Sequence, residues 1–191
     1  PSMVKAVGDG FALSEASNSP VMLQLRIKSC HLLGEFETKE NIPPTMTVKD
    51  ALENPKRDLA RVVLPPASFL HEQEKVTKRL PAAIKYIRNH NLNENFGPEQ
   101  GKIGIICQGG LYNSVIRALQ RLGLANMYGD CDVPLHVLNV TYPLVDDDLL
   151  AFAKGKDSIL VIEEGHPAYI EQNIRAILHK AGALCAVDGK G

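Results

Sequence analysis

Residues 101–123, GKIGIICQGGLYNSVIRALQRLG, decide how the rest of the chain is read. Ile103, Ile105 and Ile106 make a short β-branched run, the pattern of a strand covered on both faces. Gln108-Gly109-Gly110 ends it, because two glycines bring free φ/ψ and no side-chain bulk. Leu111, Val115, Ala118, Leu119 and Leu122 follow at helical spacing and predict one apolar helix face over 111–122. Gly123 stands where a helix C-terminal glycine belongs.

This strand–turn–helix unit recurs downstream. After a loop with Gly129 and Pro134, residues 135–140 (LHVLNV) read as a second strand, ended by Thr141-Tyr142-Pro143. Asp146-Asp147-Asp148 opens a short helix to about residue 154. Residues 158–163 (SILVIE) read as a third strand, and Gly165, His166 and Pro167 as the turn after it. Ile170, Ile174, Ile177, Leu178 and Ala181 repeat the helical stripe, Gly182 stops it, and 183–187 form a fourth strand. Strands alternating with amphipathic helices predict an α/β fold: an open, mostly parallel sheet with helices on both faces, three layers in all.

The upstream half is less regular. Residues 3–16 can form a helix, and 21–30 (VMLQLRIKSC) alternate like a strand with one apolar face. A lone helix–strand pair closes no core, so this segment calls for partners. Residues 31–66 carry Pro43-Pro44, Pro55 and Pro65-Pro66 and read as a connection, with Ile42, Met46, Val48 and Leu52 as candidate anchors. Arg61 to Leu64 suit a short edge strand. Residues 72–89 are helical in composition, with a stripe of Val76, Leu80, Ala83, Ile84 and Ile87. Pro81 either restarts that helix or kinks it.

Bulk properties narrow the function. The 191 residues are 45% hydrophobic and 23% charged, an ordinary globular balance. A net charge of -1 argues against a dedicated nucleic-acid binder. No apolar run approaches the ~20 residues of a membrane-spanning helix, so no membrane is expected as partner. The first residues lack the basic-then-apolar pattern of a signal peptide, and the chain opens on proline, as a piece cut from something larger would. Cys30, Cys107, Cys131 and Cys185 form no C-x-x-C pair. Cys107 and Cys185 fall in strands and read as small core residues; no disulfide framework is expected, and the compartment is read as reducing, hence cytoplasmic.

Three polar groups merit weighing. Gln108-Gly109-Gly110 before a helix can cradle an anion, yet it matches neither G-x-G-x-x-G nor the P-loop ending, and a tight turn explains it better. Asn113 or Ser114 is available as a helix cap. Asp146-Asp147-Asp148 points around a helix start rather than at one metal. Glu163, Glu164 and His166 lie at a strand's carboxyl end, where open α/β sheets carry sites, and offer either acid–base chemistry or a helix entrance with salt bridges. No H-x-x-x-H or G-x-S-x-G motif is present.

GIICQGGLYNSVIRAL, LNVTYPL and SILVIEEGHPAYIEQNI, in that order, resemble a C-terminal region of the thiamine-diphosphate-dependent 2-oxoacid:ferredoxin oxidoreductases, closest to the indolepyruvate type. LSEASNSPVMLQLRIKSCHLLGEF resembles the tail of that family's pyrimidine-binding domain, and KRLPAAIKYIRNHNLNE the connection into the next. The resemblance implies a tail over 1–36, a linker over 37–70 and a transketolase-C-terminal-like α/β domain over 71–191. It implies a parent enzyme that oxidatively decarboxylates 2-oxoacids to acyl-CoA and passes electrons to ferredoxin. That parent uses thiamine diphosphate, magnesium, iron–sulfur clusters and coenzyme A. The cofactor-activating glutamate, the metal motif and the cluster cysteines belong to other parts of it. No catalytic, metal or cofactor residue is therefore assigned to this chain. Gln108, Gly109, Gly110, Tyr112, Tyr142, Glu163, Glu164 and His166 remain crevice or interface candidates. The implied role is structural, among the parent's other domains or subunits and in a homo-oligomer. Two alternatives are a stand-alone flavodoxin-like module with a crevice between the first and third strands, and a component of a 2-oxoacid dehydrogenase.

Overall fold

The computed structural model describes residues 3–31, 33–38, 40–43, 46–55 and 62–190. The chain divides into two units, at Pro81 and Ala82.

The first unit is helical and thinly packed. Helix α1 spans Met3–Ser17, and among the described residues before Pro81 only Leu13 and Ser17 are buried. The Ser17 hydroxyl donates to the Leu13 carbonyl (2.7 Å), and Asn18 at φ 48° turns the chain out of the helix. The strand expected over 21–30 is not formed. Residues 21–26 have no ladder partner among the described residues, and Ile27–Cys30 turns into the short helix α2. A strand gains nothing without a neighbour to receive its N–H and C=O groups. Its apolar side is exposed instead, with Leu25 50% and Ile27 79% accessible. Helix α3, Val48–Glu53, is held by a capping box: the Thr47 side chain accepts from the Asp50 N–H (3.2 Å), and the Asp50 carboxylate accepts from the Thr47 N–H (3.0 Å). The hydrogen bonds from Thr47 hold the Asp50 carboxyl below its usual range. The anchoring expected of Ile42, Met46, Val48 and Leu52 is absent, since all four are exposed. Of the suggested edge strand, Arg61 lies outside the described residues and 62–64 form no ladder. Helix α4, Ala67–Glu74, passes into a π turn over Lys75–Arg79 before α5, Leu80–Asn89. The π turn loosens the backbone one turn ahead of Pro81, the place where a proline ring would clash with the preceding carbonyl.

The second unit is a five-stranded sheet. Its strands are β1 (Glu94–Phe96), β2 (Ile103–Gln108), β3 (Leu135–Leu138), β4 (Ser158–Ile162) and β5 (Ala186–Asp188), in the order β1-β3-β2-β4-β5. All pairs are parallel except β1 against β3. Helices α6 (Tyr112–Arg121), α7 (Asp146–Ala153) and α8 (Tyr169–Lys180) fill the crossovers. Side chains alternate along each strand and so serve two cores. Ile106, Leu138, Ile159, Val161 and Val187 meet Leu149 of α7 and Ile170, Ile174 and Leu178 of α8. On the other face Ile105, Cys107, Leu135 and Val137 meet Val115, Ile116 and Leu119 of α6. Helices thus cover both faces, as the βα pattern requires. Each fully buried Ile or Leu contributes roughly 1.5–3 kcal/mol.

Four details differ from the sequence expectation. Strand β1 is added; its three residues, ENF, are too short to show a strand's alternation, and pairing with β3 creates it. The last strand is Ala186–Asp188, not 183–187, and Leu184 is fully exposed. The buried face of α6 includes Ile116 and leaves Leu122 outside. Asn113 and Ser114 lie within α6 and do not cap it; a 3-10 turn, Gly109–Leu111, leads into the helix instead.

Candidate functional site

The carboxyl ends of β2 and β4 lie side by side, because these strands pair directly from Ile103↔Ser158 to Cys107↔Ile162. Each strand ends in a short loop before its helix, and the loops diverge. Beside these ends, between the 141–146 segment after β3 and the loop and helix after β4, lies an open crevice of about 630 Å³. Gln108, Tyr142, Glu163, Glu164 and His166 line it, joined by Thr141, Leu144, Asp146, Tyr169, Asn173 and Ile177.

The polar side chains at its base hold the fold together. The Gln108 side-chain carbonyl accepts from the Glu164 N–H at 2.7 Å, tying the end of β2 to the end of β4. Glu163 is 8% exposed, and its Oε2 accepts from the Ile170 N–H at 2.8 Å, satisfying one of the orphan donors of the first turn of α8. Its Oε1 is buried and has no hydrogen-bond partner among the described residues. Gly165 takes φ 91°, a conformation that favours glycine, and its carbonyl accepts from the Lys190 ammonium. The Tyr142-Pro143 and His166-Pro167 peptides are cis. Tyr142 is 76% and Tyr169 64% exposed.

The remaining sequence candidates sit elsewhere. A Cβ at Gly109 would overlap the Asn139 side-chain oxygen, so this glycine permits close packing of the turn on the end of β3. Asn139 in turn donates to the Leu92 carbonyl (2.9 Å) and to Glu94 (2.7 Å). Gly110 lies in the same turn and outside the crevice lining. Tyr112 turns to the α6 face, with its ring 4.9 Å from that of Phe96, and burial raises its phenol pKa. The triple aspartate opens α7, where Arg88 pairs with Asp147 (2.5 Å) and Asp148 (3.3 Å). Burial raises the Asp148 carboxyl pKa against the opposing pull of Arg88.

Sequence reasoning did not assign Asp146, Tyr169, Asn173 or Ile177 to this crevice. The signal was available in part: Asn173 and Ile177 follow Ile170 by three and seven residues, one helical face. It also missed His136, 2% exposed, whose Nδ1 meets the Asn95 side-chain oxygen at 2.7 Å. Burial lowers its pKa to about 4, so the ring is neutral at pH 7.

Helices on both faces of a mostly parallel sheet, with a crevice at the strands' carboxyl ends, define the class: an α/β domain with its site region at the usual edge. The indolepyruvate oxidoreductase domain family matches residues 93–191, and the chain belongs to that family. Curated relatives agree. Indolepyruvate oxidoreductase subunit IorA of Methanothermobacter marburgensis is 30% identical over 98% of this chain, and that of Thermococcus kodakarensis 27% over 94%. The chain spans 28% and 27% of the length of these relatives. A solved 2-oxoglutarate:ferredoxin oxidoreductase from Magnetococcus marinus, with 2-oxoglutarate, coenzyme A and succinyl-CoA bound, is 19% identical, with a TM-score of 0.47. The match covers 67% of this chain and 21% of that one.

Among the described residues, neither the crevice nor the thiols offer the groups that a pyrophosphate or an iron–sulfur cluster needs. A pyrophosphate needs free N–H donors and cations, but Glu163 already occupies the start of α8 and the crevice carries Asp146 and Glu164 besides. An iron–sulfur cluster needs grouped thiolates. Cys107 is buried and its thiol pKa is pushed up to about 11, while burial raises those of Cys131 and Cys185. No group of three potential metal ligands occurs among the described residues.

Proposed function

We propose that this chain is a non-catalytic structural and interdomain part of a 2-oxoacid:ferredoxin oxidoreductase, with indolepyruvate as the substrate class. The parent enzyme joins oxidative decarboxylation of the 2-oxoacid to acyl-CoA formation, with electrons passing to ferredoxin. Thiamine diphosphate, magnesium and iron–sulfur clusters are held by its other parts, in the cytoplasm. Residues 1–36 are the end of a preceding domain, 37–70 a linker, and 71–191 the support domain. Its partners are the remaining domains or subunits and further copies of the same assembly.

One observation carries this reading. The two most buried polar side chains of the candidate crevice serve the backbone: Gln108 ties strand to strand, and Glu163 caps a helix. Family membership over 93–191 supplies the context. Calorimetry of the full chain with thiamine diphosphate and magnesium tests it. No heat of binding is expected, and micromolar affinity would overturn the reading.

The adjacency of β2 and β4 also favours a second reading, a ligand-binding module with its crevice at that switch point. Saturable binding of any small ligand at the crevice, in a chain that lacks thiamine diphosphate affinity, would favour it.

A further inference from the structure

We infer that the crevice between the segment after β3 and the loop after β4 is a recognition site for a guanidinium group carried on an alkyl stem. This goes beyond the structural role and does not depend on it. Glu163 is the starting point. One of its oxygens caps α8, and the other is buried without a partner among the described residues, in a side chain that lines the crevice. A carboxylate oxygen accepts and never donates, so its complement must be a hydrogen-bond donor. The helix N-terminus beside it would otherwise attract an anion, but the Glu163 carboxylate already satisfies it.

The other walls have the same preference. Asp146 and Glu164 add acidic groups to the lining, and His166 is its one basic side chain. Lys190, held on the Gly165 carbonyl, does not line it. Tyr142 and Tyr169 present largely exposed rings, surfaces on which a planar cation stacks. Leu144 and Ile177 offer apolar contact to methylenes. A guanidinium spreads five donors in a flat fork and can reach more than one carboxylate while stacking; an ammonium is a compact, strongly hydrated charge.

The experiment is an NMR titration of the full ¹⁵N-labelled chain at constant ionic strength with agmatine, with acetyl-arginine-methylamide, with an alkylammonium of equal length, and with orthophosphate. Agmatine is expected to shift the Glu164, Gly165 and Asn173 amides saturably, with a dissociation constant of about 1 mM or tighter. Glu163→Gln, which keeps an acceptor for the Ile170 N–H, is expected to weaken binding about tenfold. Should that variant fail to fold, Tyr142→Ala, at an exposed ring, is expected to weaken it about threefold. Saturation by both guanidinium compounds assigns the site to an arginine side chain of a polypeptide; saturation by agmatine alone assigns it to a free small molecule. The proposal falls if no saturable shift appears below about 20 mM, if the ammonium or orthophosphate binds more tightly, or if binding is unchanged in the folded variants.

Discussion

Residues before Pro81 and those after it are built from similar amino acids and reach different ends. Both contain amphipathic stretches. After Pro81, the stretches face one another across a sheet and form two cores, with Ile106, Leu135, Ile159 and Ile174 fully buried. Before it, Phe11, Met22, Ile27, Ile42 and Leu52 stay exposed, and Leu13 is the one buried apolar side chain among the described residues. Apolar content therefore does not make a folded unit; it does so only where a second apolar face lies within reach.

Hydrogen exchange gives the sharpest way to break this contrast. Amides of β2 and β4 are expected to exchange only on global unfolding, several orders of magnitude more slowly than those of residues 21–26. Equal protection in the two regions would abolish the distinction. Core truncation comes next. Ile159→Ala is expected to cost about 2–5 kcal/mol, against less than about 0.5 kcal/mol for Phe11→Ala at its exposed site, both measured by denaturant unfolding.

The pH dependence of the second unit tests His136. Its folded pKa of about 4 lies below the ordinary value of 6.5, so between those values the unfolded chain binds more protons. Stability is then present in full above pH 6.5 and falls as pH drops toward 4, by roughly 3 kcal/mol in all. His136→Phe is expected to flatten that slope; an unchanged slope would assign the acid sensitivity to other groups. A smaller effect than core truncation is expected at Gly109→Ala, about 1–3 kcal/mol, because the new methyl must displace the Asn139 side chain. A neutral outcome would show that Asn139 swings aside at no cost.

The comparison extends to what was legible in the sequence. The βα units from residue 103 onward were readable, because burial of a repeated apolar face imposes a period that survives in one dimension. Of the site, Gln108, Tyr142, Glu163, Glu164 and His166 were readable, since each follows the end of a strand. Tyr112, Gly109 and Gly110 were grouped with them by sequence proximity, yet the turn of α6 directs Tyr112 to the opposite face. Residues 21–26 carried a strand's alternation and formed none, because pairing is supplied by a neighbour and not by the strand itself.

The sequence by itself thus determined the element types of the second unit, the glycine stops and the family resemblance. All of these depend on local periodicity and residue identity. The tertiary structure alone decided the strand order, which places the ends of β2 and β4 together; the creation of β1 from Glu94-Asn95-Phe96; and the need for glycine at 109. Each of these depends on atoms tens of residues apart in the chain, and no local pattern encodes which of them will meet.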